Sequence, residues 1–171
     1  MIIVTNMKSF FILILFIIGT VGCNNTQQRV IIEKKTDDSL KQAAVFRTQK
    51  LKEQPDDYAP DGSRIYLLSS LNGGSMCLCE LPAGETTQSV HHKSVEEIWF
   101  FLSGEGEVWR KLENKEEVTV VSKDMSLTIP LGCHFQFRNT GKEMLRFIIV
   151  TMPPWPGEDE AIIVKNHWEL H

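Results

Sequence analysis

The chain has 171 residues, of which 42% are hydrophobic and 23% charged, a balance that is ordinary for a globular protein. The formal net charge is −4 and no cluster of lysine and arginine stands out, which argues against a nucleic-acid-binding protein. This length leaves room for one domain with a sizeable core once the chain ends are set aside.

The N-terminus has the pattern of an export signal. Lys8 stands before nine consecutive apolar residues, 10–18, and small residues lead to Cys23. The apolar run is shorter than the roughly 20 residues that a membrane-spanning helix needs. Gly22 and Cys23 resemble the lipobox of bacterial lipoproteins, although Thr20 stands where that motif usually has leucine. The resemblance implies a signal peptide over residues 1–22, acylation of Cys23 and a membrane anchor in the bacterial cell envelope, on its periplasmic side or at the cell surface. A plain secretory signal is the alternative.

Residues 23–54 are polar and mixed in charge, which is typical of a linker, and Ser39 is a candidate cap for a short helix within it. From Pro55 onward, short β-type segments alternate with turn residues, so we place the folded domain at 55–171. Nine such segments occur, at 64–69, 75–81, 88–92, 97–102, 107–112, 117–122, 126–129, 134–138 and 144–151. This spacing predicts an all-β sandwich or barrel. The proline-rich run 152–157 excludes a central strand, and 161–164 predicts a short edge strand.

The segment 97–102 is apolar on both faces, because Trp99 and Phe101 alternate with Ile98 and Phe100. A strand with one face in water would alternate apolar and polar residues. We therefore expect a second layer over this strand. A second subunit in a homodimer would supply it, and so would the tail around Trp155.

Three cysteines follow Cys23, at positions 77, 79 and 133. We predict that Cys77, Cys79 and Cys133 are small buried apolar side chains. A disulfide between Cys133 and either of the other two is the alternative in an exported protein.

Two spaced motifs resemble those of the cupins, a family of jelly-roll barrels. The first motif has a glycine, a His-x-His pair, a glutamate and a closing glycine; it matches here at Gly84, His92, Glu97 and Gly104. The second motif has Pro-x-Gly, a histidine and an asparagine; it matches here at Pro130, Gly132 and Asn139. The resemblance covers about residues 55–157 and implies an all-β cupin jelly-roll barrel, a double-stranded β-helix.

Two positions of the cupin motifs lack their histidines, because Val90 and Phe135 stand there. In metal-binding cupins, three histidines and one glutamate hold a transition metal. Only His92 and Glu97 remain of that set, and catalytic sites usually keep three protein ligands. We therefore predict an exported cupin-domain protein without a firmly held metal. It would bind a small molecule in an apolar barrel pocket whose lining is Val90, Trp99, Phe135, Phe137, His92 and Glu97. A hydrogen bond between His92 and Glu97 would raise the pKa of His92.

Two alternatives follow from the same residues. Local β-bulges could bring His91 and His134 to the vacant positions, beside His92 and Glu97. That site would hold a divalent transition metal, and the chain would then resemble the metal-dependent cupin isomerases, dioxygenases or decarboxylases. The other alternative is a non-catalytic structural or interaction module whose barrel interior is filled. The direction in which His91 and His134 face separates the first alternative from the others.

Overall fold

The computed structural model describes residues 46–170. The chain forms eleven strands there and one 3-10 helix, Glu158–Glu160. The strands are β1 (Asp57–Tyr58), β2 (Arg64–Leu71), β3 (Gly74–Leu81), β4 (Val90–His92), β5 (Glu96–Ser103), β6 (Glu105–Leu112), β7 (Lys115–Ser122), β8 (Ser126–Ile129), β9 (His134–Asn139), β10 (Leu145–Met152) and β11 (Ala161–Ile163).

These strands form two antiparallel sheets that face each other. The six-stranded sheet has the order β1-β2-β3-β10-β5-β8, and the five-stranded sheet has the order β11-β4-β9-β6-β7. Strands that are consecutive along the chain repeatedly cross from one sheet to the other, as a jelly roll requires. The prediction of an all-β jelly-roll barrel is confirmed, and the edge strand predicted near 161–164 is present as β11.

One predicted strand is shorter in the structure than in the sequence pattern. The segment 88–92 pairs only over β4, because the two residues before it use their backbone groups elsewhere. The amide of Gln88 donates to the carbonyl of Asp61, and the amide of Ser89 donates to the side chain of Asn166. Residues 61 and 166 lie outside the pattern of alternating side chains, so the sequence offers no sign of these contacts.

The core between the sheets is built largely from aromatic rings. Trp99 and Phe101 of β5 contact Phe147 of β10, with ring centroids 4.7 and 4.9 Å apart. Phe135 and Phe137 of β9 approach the same Trp99 ring from the other sheet, at 5.5 and 5.3 Å. All five rings are at most 2% exposed. Because residues alternate along a strand, this packing fixes which side chains of β5, β9 and β10 face inward.

The outer faces of the two sheets differ. The C-terminal residues cover the outer face of the five-stranded sheet, where Gln136 of β9 bonds with the backbone of His167 and Trp168. The outer face of β5 remains accessible at Ile98, Phe100 and Leu102, which are 44%, 42% and 37% exposed. The expectation that the tail around Trp155 covers this strand is wrong, because its indole ring lies against His92.

The three described cysteines are free thiols, so the disulfide alternative is wrong. Cys79 and Cys133 are buried as predicted, and Cys77 is half-buried on β3. Burial raises the pKa of Cys77 to about 12, which leaves it as a neutral thiol. Apolar surroundings account for all three residues.

The predicted signal peptide 1–22, Cys23, the helix that Ser39 would cap and most of the linker lie outside the described residues. Residues 46–54 of the predicted linker are described, and they contact the barrel: Gln49 Nε2 donates to the carbonyl of Leu67 at 2.6 Å. Within residues 46–170, no helix has the length and apolar character that crossing a bilayer requires.

Candidate functional site

One end of the barrel, here called the mouth, carries polar side chains on its inner wall. Glu97 lies near the start of β5, and the register of the six-stranded sheet pairs Thr151 of β10 with both Glu97 and Ser75 of β3. His92 ends β4 in the opposite sheet. Trp155 connects the two walls, because its amide donates to Ser75 Oγ at 3.1 Å while its ring lies 5.2 Å from the His92 ring.

Glu97 is a buried carboxyl group with two hydrogen-bond donors. Trp99 Nε1 donates to one oxygen at 2.8 Å, and Thr151 Oγ1 donates to the other at 3.1 Å. Both bonds favour the ionised form, but burial outweighs them and raises the pKa of Glu97 to about 7. The group therefore exchanges its proton near neutral pH, as a general acid or base would.

His92 is buried between two aromatic rings and has an unsatisfied nitrogen. The rings of Phe135 and Trp155 stand edge-on to it, with centroids 5.1 and 5.2 Å away. Its Nδ1 atom is buried and has no hydrogen-bond partner. Burial lowers the pKa of His92 to about 4, and the negative charge of Glu160 opposes that shift only in part. The imidazole is therefore neutral at physiological pH.

The predicted hydrogen bond between His92 and Glu97 is not formed, and the predicted rise in the pKa of His92 is wrong. Both oxygens of Glu97 already accept bonds from Trp99 and Thr151. The aromatic rings around His92 remove water from it, and the nearby carboxylate of Glu160 offsets this effect only in part. Desolvation of a base lowers its pKa, which is the opposite of what ion pairing would do.

The four apolar residues predicted to line the pocket are part of the packed core. Val90, Trp99, Phe135 and Phe137 are at most 2% exposed, so other side chains enclose them almost completely. The expectation of an open apolar pocket at their level of the barrel is wrong, because three aromatic side chains meet there and fill the space. His92 and Glu97, above this layer, are the predicted residues that lie at the mouth.

The residues of the predicted rearranged metal site do not converge. His91 and His134 face outward and stack on each other, with ring centroids 5.2 Å apart and planes at 22°. His92 and Glu97 face inward, since side chains alternate along a regular strand. Among residues 46–170, no group of three or more histidine, cysteine, aspartate or glutamate side chains could hold a metal ion. These side chains therefore do not fit the metal that the alternative requires.

Glu160 is a site residue that the sequence reasoning missed. It is buried, and it accepts bonds from the backbone amides of Ser94 and Val95 at 2.6 and 3.0 Å and from Ser94 Oγ at 2.8 Å. Burial tends to raise its pKa, but these bonds outweigh burial and the pKa is lowered. The carboxylate thus fixes the turn that joins His92 to Glu97. Glu160 lies 66 residues after Ser94, so no local sequence pattern indicates that it bonds with this turn.

An open cleft of about 280 Å³ lies beside the mouth, at the end of β5. Four of its lining residues, Glu96, Ile98, Thr128 and Met152, alternate with inward-facing residues and so belong to the outer face of the six-stranded sheet. Glu97 and Ile129, which face inward, also line it, so the cleft adjoins the mouth. It was not predicted from the sequence.

Residues 77–151 match the family model described as the cupin domain. The fold is that of a cupin. The matched region runs from β3 to β10 and includes His92, Glu97 and Thr151. The C-terminal residues that cover the five-stranded sheet lie outside it.

Known proteins with a similar sequence or fold include two connected with polysaccharides. The xanthan biosynthesis protein XanB of Xanthomonas campestris is 33% identical over 81 residues, which are 47% of this chain and 16% of XanB. The capsular polysaccharide assembling protein CapF of Staphylococcus aureus superposes with a TM-score of 0.55 at 15% identity, over 70% of this chain and 33% of CapF. A Klebsiella pneumoniae protein described by its double-stranded β-helix domain superposes with a TM-score of 0.55 at 17% identity, over 71% of this chain and all of that protein. The two structural matches show the fold alone, and this chain spans a small part of XanB.

Proposed function

We propose that the chain is an exported, lipid-anchored cupin that binds a small, uncharged, hydroxyl-bearing molecule at the barrel mouth, without a firmly held metal ion. The observation that carries this proposal is the unsatisfied Nδ1 atom of His92, buried beside Trp155 at the mouth. A buried polar atom without a partner costs about 1–3 kcal/mol. A ligand that supplies a hydrogen-bond partner recovers that free energy.

The protonation states at the mouth favour a neutral ligand. His92 is uncharged at pH 7, because its pKa is about 4. Glu97 is close to half-protonated, because its pKa is about 7. Burying an anionic ligand beside these groups would require a positive partner charge that neither His92 nor Glu97 supplies at this pH. A hydroxyl group can both donate to and accept from such groups.

Trp155 supplies the apolar part of the proposed site. Its indole ring is 37% exposed, and the proline-rich run 152–157 carries it across the mouth. A flat aromatic surface beside two polar groups is the composition of a small-molecule site. The names of XanB and CapF concern polysaccharides, which supports sugars as the first class of ligand to test.

To test binding, the purified full-length protein is titrated with monosaccharides and with small organic acids, and calorimetry measures the heat of binding. We expect heat of binding from a neutral sugar, lost or weakened at least tenfold in His92→Ala and Glu97→Gln. The matched control is His91→Ala, because His91 is the next residue but faces outward. Equal binding by all four proteins, or binding of acids only, would contradict the proposed mouth site.

A metal measurement tests the other part of the proposal. Elemental analysis of the purified protein should find less than one equivalent of transition metal. One equivalent that disappears in His92→Ala would overturn the proposal and favour the metal-dependent cupin enzymes.

The membrane anchor is proposed from the sequence pattern at Gly22 and Cys23. Cells grown with labelled palmitate should label the wild-type protein, and Cys23→Ser should abolish the label. An unlabelled wild-type protein that is found in the medium would instead indicate the plain secretory signal.

A non-catalytic interaction module is the second candidate, and the filled aromatic interior favours it. Trp99, Phe135 and Phe137 are at most 2% exposed, so the barrel interior below His92 and Glu97 is packed with side chains. Absence of binding to every sugar and acid, together with an intact fold, would support this candidate over the first.

A further inference from the structure

The nitrogen atom that would bond with the ligand is enclosed by other side chains. His92 is only 4% exposed, and the rings of Phe135 and Trp155 stand against it. Phe135 belongs to the aromatic core, where close packing leaves a side chain no room to move aside. Trp155 is exposed and lies in the segment between β10 and the 3-10 helix. A ligand therefore reaches Nδ1 of His92 when Trp155 moves and Phe135 stays in place.

Residues 153–157, called the lid below, form a loop whose two ends are held close together. Met152, just before the lid, pairs with Glu96 at the start of β5. Glu160, in the 3-10 helix just after the lid, bonds with the two residues that precede Glu96. Both ends are thus attached to three consecutive residues, 94–96. A short loop with closely spaced, fixed ends can swing about them as a unit.

The contacts that hold the lid against the mouth are accessible to water. The five lid residues are exposed or half-buried, and three of them are prolines, which have no amide hydrogen to donate. The amide of Trp155 donates to Ser75 Oγ at 3.1 Å, and this bond is exposed. Segments with few buried contacts and exposed hydrogen bonds open locally at a small cost in free energy. The lid can therefore open while the barrel stays folded.

The lid in its observed position leaves one polar atom unsatisfied, and opening relieves this. With the ring of Trp155 against it, Nδ1 of His92 has no hydrogen-bond partner. With the lid open, water reaches this atom and supplies the missing bond, which offsets part of the lost contact between the two rings. A ligand that bonds with Nδ1 can therefore shift the balance between the open and closed forms.

We infer that the lid opens to admit a ligand to His92 and then closes over it, and that the hydrogen bond to Ser75 holds it shut. This inference rests on the proposed function, because it assigns the movement that ligand entry requires. Opening exposes Nδ1 of His92 to a hydroxyl group. Closing restores the bond between Trp155 and Ser75 and removes water from the bound molecule.

The first experiment measures opening without a ligand. Diethyl pyrocarbonate reacts with accessible neutral imidazoles, and His92 is neutral at pH 7 because its pKa is about 4. The full-length protein is treated with the reagent at several urea concentrations below the unfolding transition, and peptide fragmentation separates labelled His92 from labelled His91. We expect His92 to react at a rate that urea leaves unchanged, because the lid opens locally. A rate that rises with urea as global unfolding does would overturn the lid.

The second experiment changes the contacts of the lid. In Ser75→Ala we expect His92 to react about fivefold faster, because the hydrogen bond that holds the lid shut is lost. In Trp155→Ala we expect it to react about as fast as the outward-facing His91, whereas Trp155→Phe keeps a ring over His92 and should slow it again. An unchanged rate at His92 in both Ser75→Ala and Trp155→Ala would contradict the lid.

The controls for these variants separate lid movement from a general loss of stability. Ser126→Ala, at an exposed serine on β8 of the same sheet, should leave the rate at His92 unchanged. The rate at His91 should be the same in every variant, and urea unfolding should give the same midpoint for Ser75→Ala as for the parent protein. Faster reaction of His91 and His92 together would indicate unfolding and would contradict the lid.

The lid and the proposed ligand can fail separately. Local opening at His92 in a protein that binds no sugar would support the lid and contradict the proposed ligand. Heat of binding from a neutral sugar, in a protein whose His92 reacts only on global unfolding, would support the mouth site and overturn the lid.

Discussion

At the scale of single residues, burial acts in opposite directions on the acid and the base at the mouth. It raises the pKa of Glu97 to about 7 and lowers the pKa of His92 to about 4. Both shifts favour the neutral form of the side chain, since transferring a charge out of water is costly. Desolvation therefore keeps His92 neutral and leaves Glu97 close to half-protonated at pH 7, and no ion pair between the two residues is needed to explain these shifts.

The shift of Glu97 predicts a loss of stability as the pH rises. Between pH 4.5 and 7 the folded state retains a proton that the unfolded state has released, so the free energy of unfolding falls across this window. The loss is about 3 kcal/mol once the pH is above 7. Glu97→Gln should remove the part of this fall that lies above pH 6.5, as measured by urea unfolding at several pH values between 6.5 and 8.

The pH experiment has a control variant, and its interpretation must include the opposing titration of His92. Glu143→Gln, at an exposed position, should keep the wild-type dependence. His92 opposes Glu97 below pH 6.5, because the unfolded histidine takes up a proton that the folded one refuses until about pH 4. The stability that its neutral form contributes is present above pH 6.5 and is lost as the pH falls toward 4. An unchanged slope above pH 6.5 in Glu97→Gln would therefore contradict the assignment to Glu97.

At the scale of elements, distant segments fix the turns that connect the strands. The 3-10 helix Glu158–Glu160 places Glu160 beneath the turn between β4 and β5, where it accepts three hydrogen bonds. That turn sets the relative positions of His92 and Glu97. The geometry of the mouth thus depends on a residue near the C-terminus.

Replacing Glu160 should therefore destabilise the domain. Glu160→Ala leaves the buried amide of Val95 and the partly buried amide of Ser94 without an acceptor, and we expect a loss of about 2 kcal/mol in the free energy of unfolding. Glu158→Ala, two residues earlier and exposed, should change it by less than about 0.5 kcal/mol. Chemical denaturation of both variants measures the difference, and equal stabilities would contradict the structural role of Glu160.

Two glycines of the cupin motifs, Gly84 and Gly104, allow the cost of backbone strain to be compared with the cost of a steric clash. Gly84 and Gly104 both have positive φ angles, of 80° and 82°. A Cβ atom at Gly84 would meet nothing within 4 Å, whereas at Gly104 it would lie 2.6 Å from the carbonyl oxygen of Met144 and 2.7 Å from the Cα of Leu145. The turn after β5 is thus pressed against the chain that enters β10.

Alanine at these two positions should have unequal effects. Gly84→Ala should cost about 1 kcal/mol for the unfavourable φ angle alone. Gly104→Ala adds the clash with backbone atoms and should cost at least about 2 kcal/mol more. Thermal unfolding of the pair measures the difference, and similar midpoints would show that the close approach is relieved at little cost.

At the scale of the whole molecule, the domain is a filled barrel whose five-stranded sheet is covered on its outer face, whereas the outer face of the six-stranded sheet is exposed along β5. Gln136 is the fully buried residue that attaches the C-terminus to the five-stranded sheet. Its oxygen accepts bonds from the amides of His167 and Trp168, and its nitrogen donates to the carbonyls of Thr87 and Trp168. The same sheet supplies His92 to the mouth, so this attachment supports one wall of the candidate site.

Removing the Gln136 side chain should release the C-terminus. In Gln136→Ala we expect hydrogen exchange at the amides of His167 and Trp168 to become fast, with a loss of about 3 kcal/mol in global stability. Gln88→Ala, at a half-buried position in the same domain, should leave both amides protected. Protection that persists in Gln136→Ala would show that stacking on Trp109 and Arg138 suffices to hold the tail.

The sequence by itself determined the fold and the incomplete ligand set. Period-two alternation, glycine-marked turns and the two cupin motifs specify which residues of β5 and β9 face inward, because facing is a local property of a strand. The resemblance to the cupin motifs places Val90 and Phe135 at the positions of two metal-binding histidines. Regular alternation turns His91 and His134 outward, and only the structure excluded the bulges that would have turned them inward.

Only the tertiary structure decided which groups meet. Glu97 accepts a hydrogen bond from Thr151, 54 residues away, and the ring of His92 contacts that of Trp155. Glu160 bonds with Ser94, 66 residues before it, and Trp168 bonds with Gln136, 32 residues before it. Such pairs depend on the register between strands and on how much space the core side chains leave. Neither quantity is encoded in the alternation along a single strand. The sequence therefore could not show that side chains fill the barrel where a pocket was expected, or that His92 and Glu97 do not form the expected hydrogen bond.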